Sequence, residues 1–188
     1  MGIFSALRRQ IIADLDSRLA PQFHDTFTTS PVTVYDVGAA GGVFTPYPDG
    51  PKPWAPVIGF EPHPESYRLI MDGGLPEHVS LHNLALADQS GPITFFSGEG
   101  ADRTRSSLRP IEYIGGESAA VTVEAMTLDS VPQELDVAPA DFIKLDTEGT
   151  EDIVLRGGAE MLARDILGVQ VEIAFWTEQS GGVSFSDI

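Results

Sequence analysis

Short apolar segments that end in an acidic residue recur along the chain, and they constrain its fold more than any other feature. Three of them are Val32–Val37, Val57–Phe60 and Asp141–Leu145, which carry or precede Asp36, Glu61 and Asp146. Apolar runs of this length, with helix-favouring segments between them, are typical of strands buried on both faces of a sheet. The sequence therefore predicts an α/β fold with a mostly parallel sheet covered by helices.

The segments between these strands predict the rest of the sheet. Ile93–Phe96 and Ala120–Met126 are expected to form an inserted antiparallel hairpin around the long loop 97–119. The other predicted elements are a helix at Pro64–Met71, a third strand at Val79–Ala87, a helix through Ile153–Leu155 that Gly157 and Gly158 interrupt, and a fifth strand at Val169–Phe175.

The length of 188 residues fits one domain with one core. Apolar residues at three- and four-residue spacings in 2–19 predict an amphipathic helix, so we expect residues 1–30 to be a helical extension and 31–188 the domain proper. The chain ends where a further helix is expected to begin, which predicts a fold truncated at its C-terminus. Strand Val169–Phe175 would then be an exposed edge that favours pairing with a second copy.

Composition excludes several kinds of site and partner. The chain has no cysteine, so disulfides, thiolate metal sites and cysteine nucleophiles are ruled out. A net charge of −17 argues against a nucleic-acid partner. No apolar run is long enough to span a membrane, and no secretory signal is recognisable, so we expect a cytoplasmic protein without a membrane partner. Arg103, Arg105 and Arg109 form a small basic group that either is solvated or meets an anionic substrate group.

A glycine-rich turn follows the first predicted strand. Gly38, Gly41 and Gly42 suit a tight turn in which backbone N–H groups approach a ligand. Asp36 stands where a dinucleotide-binding strand usually has an apolar residue. An acid there either fixes the turn or faces the cationic amino group of S-adenosylmethionine, which favours a positively charged cofactor over a pyrophosphate. Glu61 follows Gly38 by 23 residues, at the end of the next strand, where a carboxylate accepts ribose hydroxyls.

Two further carboxylates follow the strand that ends at Leu145. Asp146 and Glu148 are expected at the carboxyl edge of the sheet, where open α/β folds bind ligands. There they would hold a substrate, orient a sulfonium or bind a metal. We expect no metal, because two carboxylates do not complete a divalent-cation site. Lys144 is expected to project to a less buried face or to pair with an acid.

Six blocks of the sequence resemble the FkbM family of S-adenosylmethionine-dependent methyltransferases. They are VYDVGAAGG at 34–42, GFEPHPESY at 59–67, NLALAD at 83–88, SSL at 106–108, TLDSV at 127–131 and DFIKLDTEGTEDIVLRGG at 141–158. The last block is the most specific, and the resemblance extends over about residues 32–176. It implies a Rossmann-like class I methyltransferase sheet and O-methylation of a hydroxyl on a small molecule such as a sugar or a natural product.

The resemblance also implies roles for individual residues. Asp36, Gly38 and Ala39 would hold the methionine part of S-adenosylmethionine, and Glu61 the ribose. Adenine would lie against residues 83–88, with Asn83 favoured, and Asp146 would lie beside the reacting centre. The segment after Gly42 departs from the usual pattern, because its five prolines prevent the long helix that often follows this turn.

The sequence does not decide which residue is the general base or which of three classes of protein the chain belongs to. Asp146, Glu148 and His63 are the candidates for a general base that accepts the proton of the acceptor hydroxyl. A nicotinamide-dependent oxidoreductase or epimerase is the alternative enzyme, although Asp36 and Ala40 depart from the dinucleotide-binding pattern. A non-catalytic, cofactor-binding scaffold is a third reading. Acceptor contacts are expected from loops 43–56 and 97–119.

Overall fold

The elements of the chain follow from a computed structural model, which describes residues 31–43, 55–97, 106–109 and 119–172. The strands are β1 Val34–Val37, β2 Val57–Phe60, β3 Val79–His82, β4 Ala85–Ala87, β5 Gly91–Ser97, β6 Ala119–Thr127, β7 Phe142–Leu145 and β8 Gly168–Val171. The helices are α1 Pro64–Gly73, α2 Val131–Glu134, α3 Glu151–Arg156 and α4 Ala159–Arg164.

Five strands form a parallel sheet in the order β3-β2-β1-β7-β8. The last residues of neighbouring strands are register partners, as in Val37 with Phe60 and Val37 with Leu145. The same holds at the two outer pairs of strands. The residues that directly follow the five strands therefore lie along one edge: Gly38, Glu61, Asn83, Asp146 and Glu172. This arrangement confirms the predicted mostly parallel α/β sheet.

The second sheet has three strands, in the order β4-β6-β5. Strands β5 and β6 are antiparallel, with Gly91 opposite Ala125 and Ser97 opposite Ala119. This pairing confirms the predicted hairpin. Strand β4 pairs with β6 in parallel, so the three strands form a mixed sheet.

The prediction of one strand over Val79–Ala87 is wrong, because the segment divides between the two sheets. Strand β3 stays in the five-stranded sheet, while β4 joins the three-stranded one. Leu84 and Leu86 pack in the main core, and Ala85 and Ala87 pack in the core of the small sheet. Residues 84–87 are therefore all apolar. No polar residue among them marks the point at which the chain leaves one sheet for the other.

The main core lies between the five-stranded sheet and the helices that follow β6 and β7. Tyr35 and Phe60 are fully buried at its centre, with ring centroids 5.4 Å apart in an edge-to-face arrangement. The Tyr35 hydroxyl donates a hydrogen bond to the Ala138 carbonyl at 2.7 Å. Val154 of α3 and Met161 of α4 pack against the same cluster. The break between these two helices falls at Gly157 and Gly158, as predicted.

Several predictions concern residues outside the described ranges. They include the helix at 2–19, most of loops 43–56 and 97–119, and the last part of Val169–Phe175. Within the described residues, β8 lies at one edge of the five-stranded sheet, and its Val169 and the preceding Leu167 are exposed. In the described part of the chain, no helix combines the length and the apolar character that a membrane span requires.

Candidate active site

A cleft runs along the carboxyl edge of the five-stranded sheet. Its polar wall comes from the ends of β1, β2 and β7 and includes Gly38, Glu61, Asp146, Thr147 and Thr150. Its apolar wall comes from both sheets, from the link between β3 and β4 and from the segment 106–109, and it includes Phe60, Leu84, Leu86, Phe95 and Leu108. The cleft is partly open to solvent, and the cavity volume that water can reach in it is about 40 Å³ in this structure. This is the edge at which open α/β sheets bind ligands.

The turn after β1 passes very close to the end of β7. Gly38 has a φ of +87°, and a Cβ added to it would overlap the carbonyl oxygen of Asp146. The N–H groups of Gly38 and Ala39 both donate to the Phe60 carbonyl, at 3.1 Å each, so these two donors face β2. Glycine at position 38 is thus required by the approach of two chain segments, and binding of a ligand by Gly38 and Ala39 stays a prediction.

Lys144 connects the carboxylates at the ends of β1 and β7. Its ammonium lies 3.2 Å from Asp36 Oδ1 and 3.1 Å from Asp146 Oδ2, and it donates to the Gly38 carbonyl at 3.2 Å. Lys144 and Asp36 are register partners on neighbouring strands, which brings their side chains together. Burial lowers the pKa of Lys144, but attraction to Asp36 and Asp146 more than offsets this and raises it. The predicted pairing of Lys144 with an acid is therefore observed.

The contact with Lys144 is the ion pair that the structure gives for Asp36. The Asp36 side chain is fully buried, and the cation that faces it is Lys144. A role for Asp36 toward the amino group of a cofactor stays a prediction. Its observed effect is to hold Lys144 between β1 and β7.

Glu61 lines the cleft at the end of β2 and is almost fully buried. Its Oε1 accepts a hydrogen bond from the His63 N–H at 2.8 Å. Burial raises the pKa of Glu61 to about 7, the charge of Asp36 adds to the rise, and the His63 N–H and Lys144 oppose it. A buried carboxylate in this position is suited to accept hydrogen bonds from ligand hydroxyls.

His63 and Asn83 support the loop that carries Glu61. His63 is the N-cap of α1, where its Nδ1 accepts from the Ser66 N–H at 3.3 Å. The Asn83 amide donates to the carbonyls of Glu61 at 2.8 Å and Pro62 at 3.0 Å. Both side chains therefore fix the end of β2, and an adenine contact by Asn83 stays a prediction.

A group of carboxylates lies at the ends of β7 and β8. Asp146, Glu148 and Glu172 each bring one carboxylate oxygen within 4.8 Å of the others. Asp146 and Glu172 are hydrogen-bonded to each other, and the Glu172 N–H donates to the Leu145 carbonyl at 2.9 Å. Carboxylates are ligands that divalent cations prefer, but Lys144 already neutralises Asp146 and proximity alone does not define a metal site. The absence of a metal stays a prediction.

The two hydrogen-bonded carboxyl groups have opposite pKa shifts. The hydrogen bond with Asp146 raises the pKa of Glu172 to about 7, with further contributions from the charge of Asp146, from burial, and from Glu148 and Glu151. Burial raises the pKa of Asp146, but the hydrogen bond with Glu172 and the ammonium of Lys144 outweigh it and lower it. Asp146 is therefore the ionised partner, and Glu172 holds the proton below neutral pH.

Glu172 is the site residue that the sequence analysis missed. The fifth strand was predicted to continue to Phe175, which places Glu172 inside a strand. The described strand ends at Val171 instead, so Glu172 is the residue that directly follows it. The signal was the same as at Glu61 and Asp146, namely an acid after an apolar strand.

The turn that carries Glu148 is held from two sides. Glu148 has a left-handed φ of 52°, and its carbonyl accepts from Ser107 Oγ at 3.0 Å. Glu151 accepts from the N–H groups of Thr147 at 2.9 Å and Gly149 at 3.3 Å. The Glu148 carbonyl and the N–H groups of Thr147 and Gly149 therefore have partners within the protein.

Arg109 is paired with an acid of the protein. Its guanidinium forms a two-pronged contact with the Asp152 carboxylate, at 2.9 and 3.0 Å. It also donates to the Gly149 carbonyl. The reading of the basic group as merely solvated is wrong for Arg109, because the two side chains are mostly buried against each other. Arg103 and Arg105 lie outside the described residues.

Comparison with known proteins identifies the family. The model of the methyltransferase FkbM domain matches residues 36–188, which is most of the chain. No curated protein and no solved structure matches the sequence significantly. The matched range contains Asp36, Glu61, Asp146 and the cleft between them. The chain therefore belongs to the FkbM methyltransferase family, as its motifs and its parallel sheet indicate.

Proposed function

We propose that this methyltransferase uses S-adenosylmethionine to methylate a hydroxyl group of a small molecule, such as a sugar or a natural product. The observation that supports this most is the cleft between Glu61 at the end of β2 and Asp146 at the end of β7, with the Gly38 turn between them. A nucleoside with two ribose hydroxyls and a charged side chain needs these groups in this order along a sheet edge.

The residues of the cleft fit the parts of this cofactor. The buried carboxylate of Glu61 is suited to both ribose hydroxyls. Leu84, Leu86 and Phe95 form an apolar surface next to it that suits the adenine ring. The Gly38 turn and the carboxylate of Asp146 are suited to the methionine end. When bound, S-adenosylmethionine supplies a methyl group that its positively charged sulfur already activates.

The protein's own contribution to methyl transfer is to position the acceptor and to take up its proton. Positioning two reactants supplies about 7–11 kcal/mol of the barrier in favourable cases. The order β2-β1-β7-β8 puts Glu172 on the far side of Asp146 from Glu61, which is the side left for an acceptor. We assign proton uptake to the Asp146–Glu172 pair, with Glu148 beside it.

The charge of this edge supports a neutral acceptor. Asp146, Glu148 and Glu172 lie together, and the net charge of the chain is −17. A phosphorylated substrate or a nucleic acid would meet repulsion here. A sugar or phenolic hydroxyl would not.

The test is transfer of a tritiated methyl group from S-adenosylmethionine to a panel of monosaccharides, glycosides and phenols, with the product identified by mass spectrometry. We expect an O-methyl product from the wild-type chain and a strong loss in Glu61→Ala. Glu77→Ala is the matched control, because Glu77 is an exposed glutamate in the loop after α1. A methyl group on nitrogen or carbon would contradict the proposal, and cofactor binding without transfer to any of the compounds would favour a non-catalytic scaffold.

A further inference from the structure

The segment 106–109 lies between the cleft and the turn that carries Glu148. Ser107 forms an antiparallel bridge with Phe96 of β5, with both N–H to O distances at 2.8 Å. This bridge anchors the segment to the small sheet. Ser106 and Leu108 line the cleft.

Ser107 and Arg109, the other two residues of the segment, contact the turn that carries Glu148. Ser107 is buried, and its Oγ donates to the Glu148 carbonyl at 3.0 Å. Arg109 donates to the next carbonyl, that of Gly149, and holds Asp152 of α3 with both prongs of its guanidinium. The Arg109 N–H also donates to Ser107 Oγ at 3.2 Å. Alternate side chains of the segment therefore have different neighbours. Ser106 and Leu108 line the cleft, whereas Ser107 and Arg109 donate hydrogen bonds to the turn that carries Glu148.

The turn held in this way carries part of the cleft wall. Thr147 and Thr150 line the cleft next to Asp146. The φ values at Glu148 and Gly149 are +52° and +87°, so two successive residues have left-handed backbone. Non-glycine residues adopt that conformation only where their surroundings impose it. The hydrogen bonds from Ser107 and Arg109 to the two carbonyls are such surroundings.

We propose that Ser107 and Arg109 are positioning residues, which fix segment 106–109 and the turn 147–150 as one rigid wall of the cofactor cleft. Neither side chain lines the cleft. The first test of this inference measures cofactor affinity and therefore rests on the proposed use of S-adenosylmethionine. The second test measures backbone exchange and depends only on the hydrogen bonds described above.

The chain offers a matched control in Arg156. Arg156 also pairs with Asp152, at 2.7 Å, and with Asp88 at 3.4 Å. Its side chain is 55% exposed, whereas that of Arg109 is 18% exposed. Arg156 makes no hydrogen bond to the turn in the described contacts. Loss of either arginine removes a partner of Asp152, but only loss of Arg109 releases the Gly149 carbonyl.

The first measurement is the affinity of full-length variants for S-adenosylhomocysteine by isothermal titration. We expect Arg109→Ala and Ser107→Ala to weaken binding, Arg109→Ala by at least about tenfold, since a charge-assisted contact to a buried group is lost. Arg109→Lys should recover part of the affinity, because lysine keeps the charge but not the two-pronged geometry. Arg156→Ala should bind as the wild type does. Unchanged affinity in folded Arg109→Ala, or equal weakening in Arg156→Ala, would overturn the proposal.

The second measurement is hydrogen–deuterium exchange of the peptide that covers residues 147–150, without any ligand. Faster exchange in Arg109→Ala or Arg109→Lys than in Arg156→Ala is the expected result, and equal exchange in all of them would contradict the rigid wall. If Arg109→Ala does not fold, Arg109→Lys and Ser107→Ala give the same comparison. Failure of the wild-type chain to bind S-adenosylhomocysteine would count against the proposed function, and the exchange measurement would still decide the role of Arg109.

Discussion

Glu61 and Glu172 are two carboxyl groups with pKa values of about 7 that arise from different causes. Burial is the main cause at Glu61, whereas the hydrogen bond with ionised Asp146 is the main cause at Glu172. The distinction matters for function. A buried carboxylate gains from a ligand whose hydroxyls replace water, while a carboxyl group paired with another is suited to accept and release a proton near neutral pH.

The pH dependence of methyl transfer tests the assignment of Glu172. Activity of the wild-type chain is expected to fall as pH drops through about 7, because the protonated Glu172 is unable to accept the proton of the acceptor. Glu172→Gln should lose about 10²–10⁴-fold in kcat together with that part of the pH profile. Glu148→Gln should keep the fall in activity but move it to somewhat lower pH, because the charge of Glu148 contributes to the raised pKa of Glu172. If Glu148→Gln removes the fall and Glu172→Gln does not, the base is Glu148.

Gly38 and Gly41 form a matched pair for testing the close approach of the β1 turn to β7. Both have a φ of +87°, but a Cβ at Gly38 would overlap the Asp146 carbonyl, whereas no atom of the described residues lies within 4 Å of a Cβ at Gly41. Gly41→Ala should cost about 1–2 kcal/mol of the free energy of unfolding, from backbone strain alone.

Gly38→Ala should cost more, about 2–5 kcal/mol, because overlap with the backbone is added to the strain. Urea unfolding followed by circular dichroism measures both values. Equal costs at the two positions would show that the turn moves away from β7 without difficulty.

Residue-level prediction succeeded where a side chain directly follows a recognisable strand. Glu61 and Asp146 were predicted in this way and lie at the predicted edge. Asp36 lies within β1, one residue before its end, and was predicted because it departs from the dinucleotide-binding pattern. The roles of all three residues stay predictions. Glu172 was missed because the apolar residues after it suggested a longer strand. The capping role of His63 depends on how the chain turns after β2, which no spacing in the sequence reports.

At the scale of elements, the buried ion pair connects the two central strands. Asp36 on β1 and Lys144 on β7 are register partners, and the Asp36 side chain is fully buried. A buried charge that loses its partner is strongly destabilising, whereas apolar replacement of both partners is often neutral. The pair therefore stabilises the packing of β1 against β7, and substitution of one partner alone is expected to lower the free energy of unfolding.

Lys144→Met is expected to lower the free energy of unfolding at neutral pH by about 3–5 kcal/mol, because it leaves Asp36 without its counter-ion. The double variant Asp36→Leu/Lys144→Met should recover most of that loss. Urea unfolding of the wild type and the two variants measures the difference. A Lys144→Met variant as stable as the wild type would contradict the coupling.

The apolar pattern of the sequence predicts some strands of this fold better than others. Strands β1, β2 and β7 were predicted with the correct last residue and to within two residues at the start, because each is a mostly apolar run that ends before a glycine or an acid. The division of Val79–Ala87 was not predicted. Strand β3 alternates buried and more exposed residues, whereas β4 is buried throughout, and residues 84–87 alternate between two cores. Only the three-dimensional partners of Ala85 and Ala87 distinguish the two strands.

For the whole molecule, the described edge strand β8 raises the question of self-association. Val169 in this strand is 39% exposed, and Leu167 directly before it is 69% exposed. Exposed apolar edge strands favour pairing with another chain, and a charge placed on them opposes it. The sequence-based expectation of a homo-oligomer through this edge is therefore open to a direct test.

Sedimentation of the wild-type chain should depend on protein concentration in analytical ultracentrifugation, and Val169→Lys should shift the population toward monomer. Glu77→Lys, a change of exposed charge in the loop after α1, is the control and should sediment as the wild type does. A wild-type chain that stays monomeric at all concentrations would contradict edge pairing.

The central claim for the molecule is that its cleft binds S-adenosylmethionine. Isothermal titration of the full chain with S-adenosylmethionine, S-adenosylhomocysteine and NAD tests it most directly. The account predicts binding of the first two compounds and a large loss of that binding in Glu61→Ala, with Glu77→Ala unchanged. Binding of NAD in place of S-adenosylmethionine would contradict it.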